Sequence, residues 1–109
     1  MPTAYKVLGQ IAPAATTATA IYTVPSATEA VVSSIAVCER GGSAATFRLA
    51  VRPDGATLAN QHYLVYDANL DANDSIILTI GVTLDAADVL EAYASSGDAT
   101  FQAYGSEIS

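Results

Sequence analysis

Turn-forming clusters interrupt this chain at short, fairly even intervals. They fall at Ala12-Pro13, Val24-Pro25-Ser26, Arg40-Gly41-Gly42-Ser43, Arg52-Pro53-Asp54-Gly55, Asp67-Ala68-Asn69, Asp71 to Ser75, Gly81 and Ser95-Ser96-Gly97-Asp98. Between them lie short runs rich in Val, Ile, Thr and Tyr, residues that suit a pleated, half-buried surface. Short strands at this spacing, with Gly and Pro at the joints, predict an all-β fold. The runs read as eight strands, over residues 5–11, 18–24, 29–38, 44–52, 61–66, 75–82, 89–95 and 100–105. The expected architecture is a single antiparallel β-sandwich spanning residues 1–109, with a jelly-roll-like winding as one arrangement that fits.

Alternation assigns faces. In 44–52, Phe47, Leu49 and Val51 share one side, and Thr46, Arg48, Ala50 and Arg52 share the other. Period-two geometry sends the first set to the core and the arginines outward. In 29–38, Val31, Ser33, Ile35 and Val37 oppose Val32, Ser34, Ala36 and Cys38. Both sets are fairly apolar, so this strand is expected inside a sheet rather than at its edge. Leu84, Ala87, Leu90 and Ala94 fall at helical spacing, yet the neighbours on both sides are strand-like. The expectation there is a loop through Asp88 followed by a strand. Pro13 and the small residues around it would break a ladder. Residues 1–17 are therefore expected to form an extended N-terminal arm, and the last residues, from Gly105, a frayed tail.

The charge balance narrows the partners. Four basic residues stand against eleven acidic ones, a net charge of −7 over 109 residues. Nucleic-acid backbones and anionic membranes both call for clustered Lys and Arg, so neither is an expected partner. The opening MPTAYKVLGQ has no charged segment leading into an apolar run, and no stretch nears the ~18 apolar residues of a membrane helix. These features point to folding in a cytoplasm.

Few residues suggest chemistry, and each has an ordinary structural reading. Cys38 is the only cysteine, so it makes no internal disulfide. Beside Arg40 it could be a stabilised thiolate, but it is read as a small apolar packing group at a strand end. His62 is the only histidine and has no nucleophile motif near it. No catalytic residue and no cofactor are expected. Asp67, Asp71 and Asp74 lie in the oxygen-rich DANLDAND segment and are weak candidates for a hard cation. The spacing departs from a calcium-loop pattern, and Asp and Asn bond their own backbone in turns. Arg48 and Arg52, with Arg40 across a hairpin, are either paired locally with Glu29, Glu39 or Glu91 or docked on an acidic neighbour. Six tyrosines and no tryptophan suit half-buried sheet faces and interfaces.

Several segments resemble small virion structural proteins of tailed bacteriophages. They are Lys6-Val7-Leu8-Gly9-Gln10, Tyr22-Thr23-Val24-Pro25, Val37-Cys38-Glu39-Arg40, Phe47-Arg48-Leu49-Ala50-Val51-Arg52-Pro53 and the later residues 84–94 and 101–108. The pattern has a neutral residue where Glu39 stands. The resemblance implies a β-sandwich that assembles on a particle as a head decoration (cement) protein, with a neck, tail or fibre component as the alternative. It carries no residue-level site. The implied partners are the major capsid protein or other virion proteins, with self-association as a dimer or trimer. Tyr5 and Lys6 in the expected arm, and Arg48 and Arg52 on their strand face, are the expected interface residues. A carbohydrate- or host-surface-binding module is the alternative of another class; a concave surface lined by Tyr or by Asp and Asn would mark it.

Overall fold

A computed structural model of the chain describes residues 3–109. Its strands are β1 (Thr3–Ile11), β2 (Thr19–Thr23), β3 (Glu29–Glu39), β4 (Ala45–Arg52), β5 (Tyr63–Leu70), β6 (Ser75–Leu84), β7 (Val89–Ala94) and β8 (Ala99–Ile108). They pair antiparallel in a nested order: β1 with β8, β2 with β7, β3 with β6 and β4 with β5. Such nesting is one long hairpin whose tip is β4–β5. Rolling that ribbon up adds the β3–β8 and β4–β7 pairs. Two four-stranded sheets result, β1-β8-β3-β6 and β2-β7-β4-β5. This is a jelly-roll winding of an antiparallel β-sandwich.

The core lies between the sheets and is fully buried at Val32, Ile35 and Val37 of β3, Phe47 and Leu49 of β4, Leu90 of β7 and Phe101 of β8. Phe47 and Phe101, from facing sheets, meet as tilted rings with centroids 6.2 Å apart, a favourable aromatic geometry. Glycine sets two close approaches. A Cβ on Gly9 would overlap the backbone of Ile21, where the β1 edge meets β2, and one on Gly105 would overlap the backbone of Val31.

Several expectations hold. The 29–38 run is an interior strand, flanked by β6 and β8. Residues 89–94 are a strand rather than a helix. The turn before them is tied by Asp88, whose carboxylate accepts the backbone N–H of Asp85 and of Asp54, each at 2.8 Å.

Others are corrected. The expected arm over residues 1–17 is not free: Thr3–Ile11 pairs along its length with β8, and Met1 and Pro2 lie outside the described residues. The ladder that holds it comes from the other end of the chain. The tail is likewise strand, with Ile108 in register with both Thr3 and Glu29. In β3 a register shift between Val32 and Ser34 inserts Ser33 as an extra residue, so Val32, not Val31, faces the core with Ile35 and Val37. The Asp67-Ala68-Asn69 turn is instead part of β5. One residue of β4, Arg48, there opposes two of β5, Tyr66 and Asp67, and Asp67 adopts φ 51°, a left-handed bulge position that Asp tolerates. Residues 60–62 form a 3₁₀ turn ahead of β5.

Candidate functional site

The outer face of the β2-β7-β4-β5 sheet is built around two ion pairs. Alternation in β4 turns Arg48 and Arg52 outward, as expected. Arg48 Nε donates to Asp67 Oδ1 at 2.6 Å and its Nη2 to Oδ2 at 3.3 Å. The guanidinium lies over the rings of Tyr66 and Tyr93, 4.2 and 4.4 Å from their centroids. Those bonds hold the Asp67 carboxyl below the usual carboxylate range and push Arg48 above its ordinary value. Tyr63 stands edge-on to Tyr66, with centroids 4.8 Å apart.

Arg52 organises the β4–β5 connection. Its Nε donates to Glu91 Oε1 at 3.0 Å, and its Nη1 donates to the carbonyls of Gly55 and Ala56 at 3.1 and 2.9 Å. His62 Nδ1 accepts the Ala59 N–H at 3.0 Å farther along the same loop. The tethered loop and the β1–β2 connection flank a cleft of about 230 Å³, lined by Thr16, Ala18, Arg48, Ala50, Leu58, Tyr63, Glu91, Ala92 and Tyr93. A second depression of about 260 Å³ lies beyond Tyr63, against Asn60 and Tyr66.

The opposite outer face has another character. Alternation along the β1-β8-β3-β6 sheet brings out Tyr5 and Val7, Tyr104 and Ser106, Ser34 and Ala36, and Ile77 and Thr79. Among the described residues of this face only Glu29, in the row at one end, is charged. Tyr5, Val7 and Ile77 are 86%, 46% and 66% exposed. Cys38 sits half-buried on this face, in register with Ser75 and Thr100.

Where β1 meets β2, a three-residue clasp joins the sheets. Lys6 Nζ lies 2.8 Å from Glu107 Oε1, and the Tyr22 hydroxyl donates to Glu107 Oε2. Lys6, then Tyr22, hold the Glu107 carboxyl below its ordinary range. Burial, and then the Glu107 carboxylate, push the Tyr22 hydroxyl above its own.

The candidates named from sequence are thus dispersed. Tyr5 and Lys6 are neighbours on β1 but point to opposite sides: Tyr5 to the uncharged face, Lys6 to the clasp. Arg52 takes one of its anticipated partners, Glu91, while Arg48 takes Asp67, which was not among them. Asp67 is therefore bound to a guanidinium, away from Asp71. Asp74 caps the β5–β6 turn, accepting the Ser75 N–H at 2.8 Å. Among the described residues, no three His, Cys, Asp or Glu side chains come together as a metal-binding group. Cys38 lies on β3, whereas His62 ends the 3₁₀ turn ahead of β5 in the other sheet. Sequence reasoning missed the roles of Tyr66, Tyr93 and Glu107. It also missed the inward turn of Glu39, whose Oε2 accepts the Gly41 N–H at 2.9 Å while Oε1 has no partner among the described residues.

The fold and its two unlike faces define a β-jelly-roll with a charge-paired aromatic groove on one side and a nearly uncharged sheet on the other. No protein-family model matches the chain, and no curated protein matches it. No helix among the described residues is long and apolar enough to cross a membrane.

Proposed function

We propose that the chain is a structural protein of a tailed-bacteriophage particle, and specifically a decoration (cement) protein that bridges neighbouring capsid subunits and stabilises the shell. The observation that carries this reading is the β1-β8-β3-β6 outer face. On a chain with eleven acidic residues and a net charge of −7, that face has one charge at its end and leaves Tyr5, Val7 and Ile77 largely in water. Interface centres are depleted of charge and enriched in aromatic residues, so a face of this composition suits burial against another protein. The likeness of residues 37–40 and 47–53 to virion proteins supplies the kind of partner, the major capsid protein or another virion protein. The work is mechanical: modest contacts, repeated by symmetry, add up over a particle. The free edge of β6 offers further pairing surface, including for self-association as a dimer or trimer.

Sedimentation with particles assembled without the chain tests the proposal. Wild-type protein is expected to co-sediment in a fixed ratio to capsid subunits. Ile77→Asp, which puts a charge at the centre of the face, is expected to weaken binding by at least about tenfold. Wild-type chain left wholly in the supernatant contradicts the reading.

A further inference from the structure

The groove on the other face plays no part in that assembly reading. We propose that it binds a neutral oligosaccharide, with Tyr63 standing between two adjoining sugar rings.

Shape comes first. The clefts of about 230 and 260 Å³ both use Tyr63 as a wall, so they adjoin across that ring as two bays. Taken together they reach the size range of ligand sites, and each alone falls short of it. A ligand made of two or more compact linked units fits better than a single one.

Chemistry comes next. Tyr63, Tyr66 and Tyr93 offer apolar ring surface with a hydroxyl at its margin, which suits a ring that is apolar on its C–H faces and polar at its rim. Tyr66 is 58% exposed, so part of its ring stays open beside the Arg48 guanidinium that covers one face. The polar partners are already fixed in place. Arg48 uses its Nε and Nη2 on Asp67 and keeps further N–H donors. Glu91 gives Oε1 to Arg52, leaving Oε2 as an acceptor for a hydroxyl. Asn60, in the second bay, can do both. Because Arg52 and His62 tie down the 53–62 loop, the groove is formed before any ligand arrives, and binding does not have to order it.

Charge selects the class. Arg48 is neutralised by Asp67 and Arg52 by Glu91, so the groove is balanced within a molecule of net charge −7. Uronate- or sialate-bearing chains meet no free cation here and are repelled by the molecule as a whole. Neutral chains pay no such penalty.

The test is a backbone-amide NMR titration of the whole chain with cellotriose, maltotriose, chitotriose and mannotriose, and with trigalacturonate as the acidic arm. At least one neutral trisaccharide is expected to shift the amides of Leu58, Tyr63, Tyr66 and Tyr93. Tyr66→Ala, and Tyr63→Ala where its spectrum shows a folded chain, are expected to weaken that binding by at least about tenfold. Shifts confined to other surfaces, binding of the uronate alone, or no response to any neutral trisaccharide at millimolar concentration would overturn the proposal. None of these results bears on whether the chain sits on a particle, so the two readings fail separately.

Discussion

Tyr22 of β2 donates its hydroxyl hydrogen to Glu107 of β8, so one bond joins the two sheets beside the seam where β1 meets β2. Lys6 completes the clasp from the same carboxylate. Glu107 and Tyr22 titrate on opposite sides of neutrality, which gives the clasp a pH signature.

On the acid side, Glu107 has a depressed value in the folded chain. Its contribution to stability is therefore present above the ordinary glutamate pKa of about 4.3 and is lost as pH falls through the folded value. On the alkaline side, Tyr22 has a raised value. Its contribution is complete below the ordinary tyrosine pKa of about 10 and is lost as pH rises through the folded value. Denaturation midpoints against pH should show a plateau with both shoulders. Glu107→Gln should flatten the acid shoulder, and Tyr22→Phe should remove the alkaline one and cost about 1–2 kcal/mol on the plateau. Unchanged shoulders in both variants would show that the clasp does not tie the sheets.

Gly105 and Gly81 should respond oppositely to alanine. A Cβ on Gly105 would strike the Val31 backbone, and backbone cannot swing aside as a side-chain end can. Gly105→Ala should cost at least about 2 kcal/mol in urea unfolding. Gly81, on the edge strand β6, has open space around it. Gly81→Ala should be neutral or stabilise by about 0.5 kcal/mol. Equal effects would contradict the close approach.

Phe47→Ala should be the most damaging of these changes. The ring is 1% exposed and packs against Phe101, so its loss should cost about 3–5 kcal/mol. Chemical denaturation of the variant measures it, and a cost below about 1 kcal/mol would mean the two sheets do not meet there.

Arg52→Lys should loosen the 53–62 loop while leaving the charge in place. One ammonium cannot reproduce the guanidinium's fixed fork toward Glu91, Gly55 and Ala56. Hydrogen exchange at Ala56 and His62, whose amides bond within the loop at 3.0 and 3.1 Å, should accelerate at least about tenfold. Exchange unchanged from wild type would show that the loop is held by other contacts.

What was legible in the sequence followed from local chemistry. Asp54 and Asn73 stand at turn positions with φ near 55°, where their side chains tolerate left-handed backbone, and the turns they mark were read directly. Alternation in β4 correctly sent Arg48 outward and Phe47 inward. What failed depended on partners far along the chain. The bulges at Ser33 and Asp67 exist only relative to the opposing strand, so period-two counting grouped Val31 with Ile35 and Val37, and the Asp67-Ala68-Asn69 run read as a turn. Without the bulge, the Arg48–Asp67 pair has no reason to form, and so it was not anticipated. The first strand looked like a free arm because Pro13 does end it; its ladder to residues 101–108 spans nearly the whole sequence. Nothing local announces such a contact.

The central claim is that the uncharged β1-β8-β3-β6 face is an assembly surface on a virion. Cryo-electron microscopy of particles bearing the chain tests it most directly. The account predicts jelly-roll density on the head, repeated between capsid subunits, with Tyr5, Val7 and Ile77 turned onto the shell. Density found only on the tail would contradict the cement role, and density on the head with that face turned to solvent would contradict the surface assigned to it.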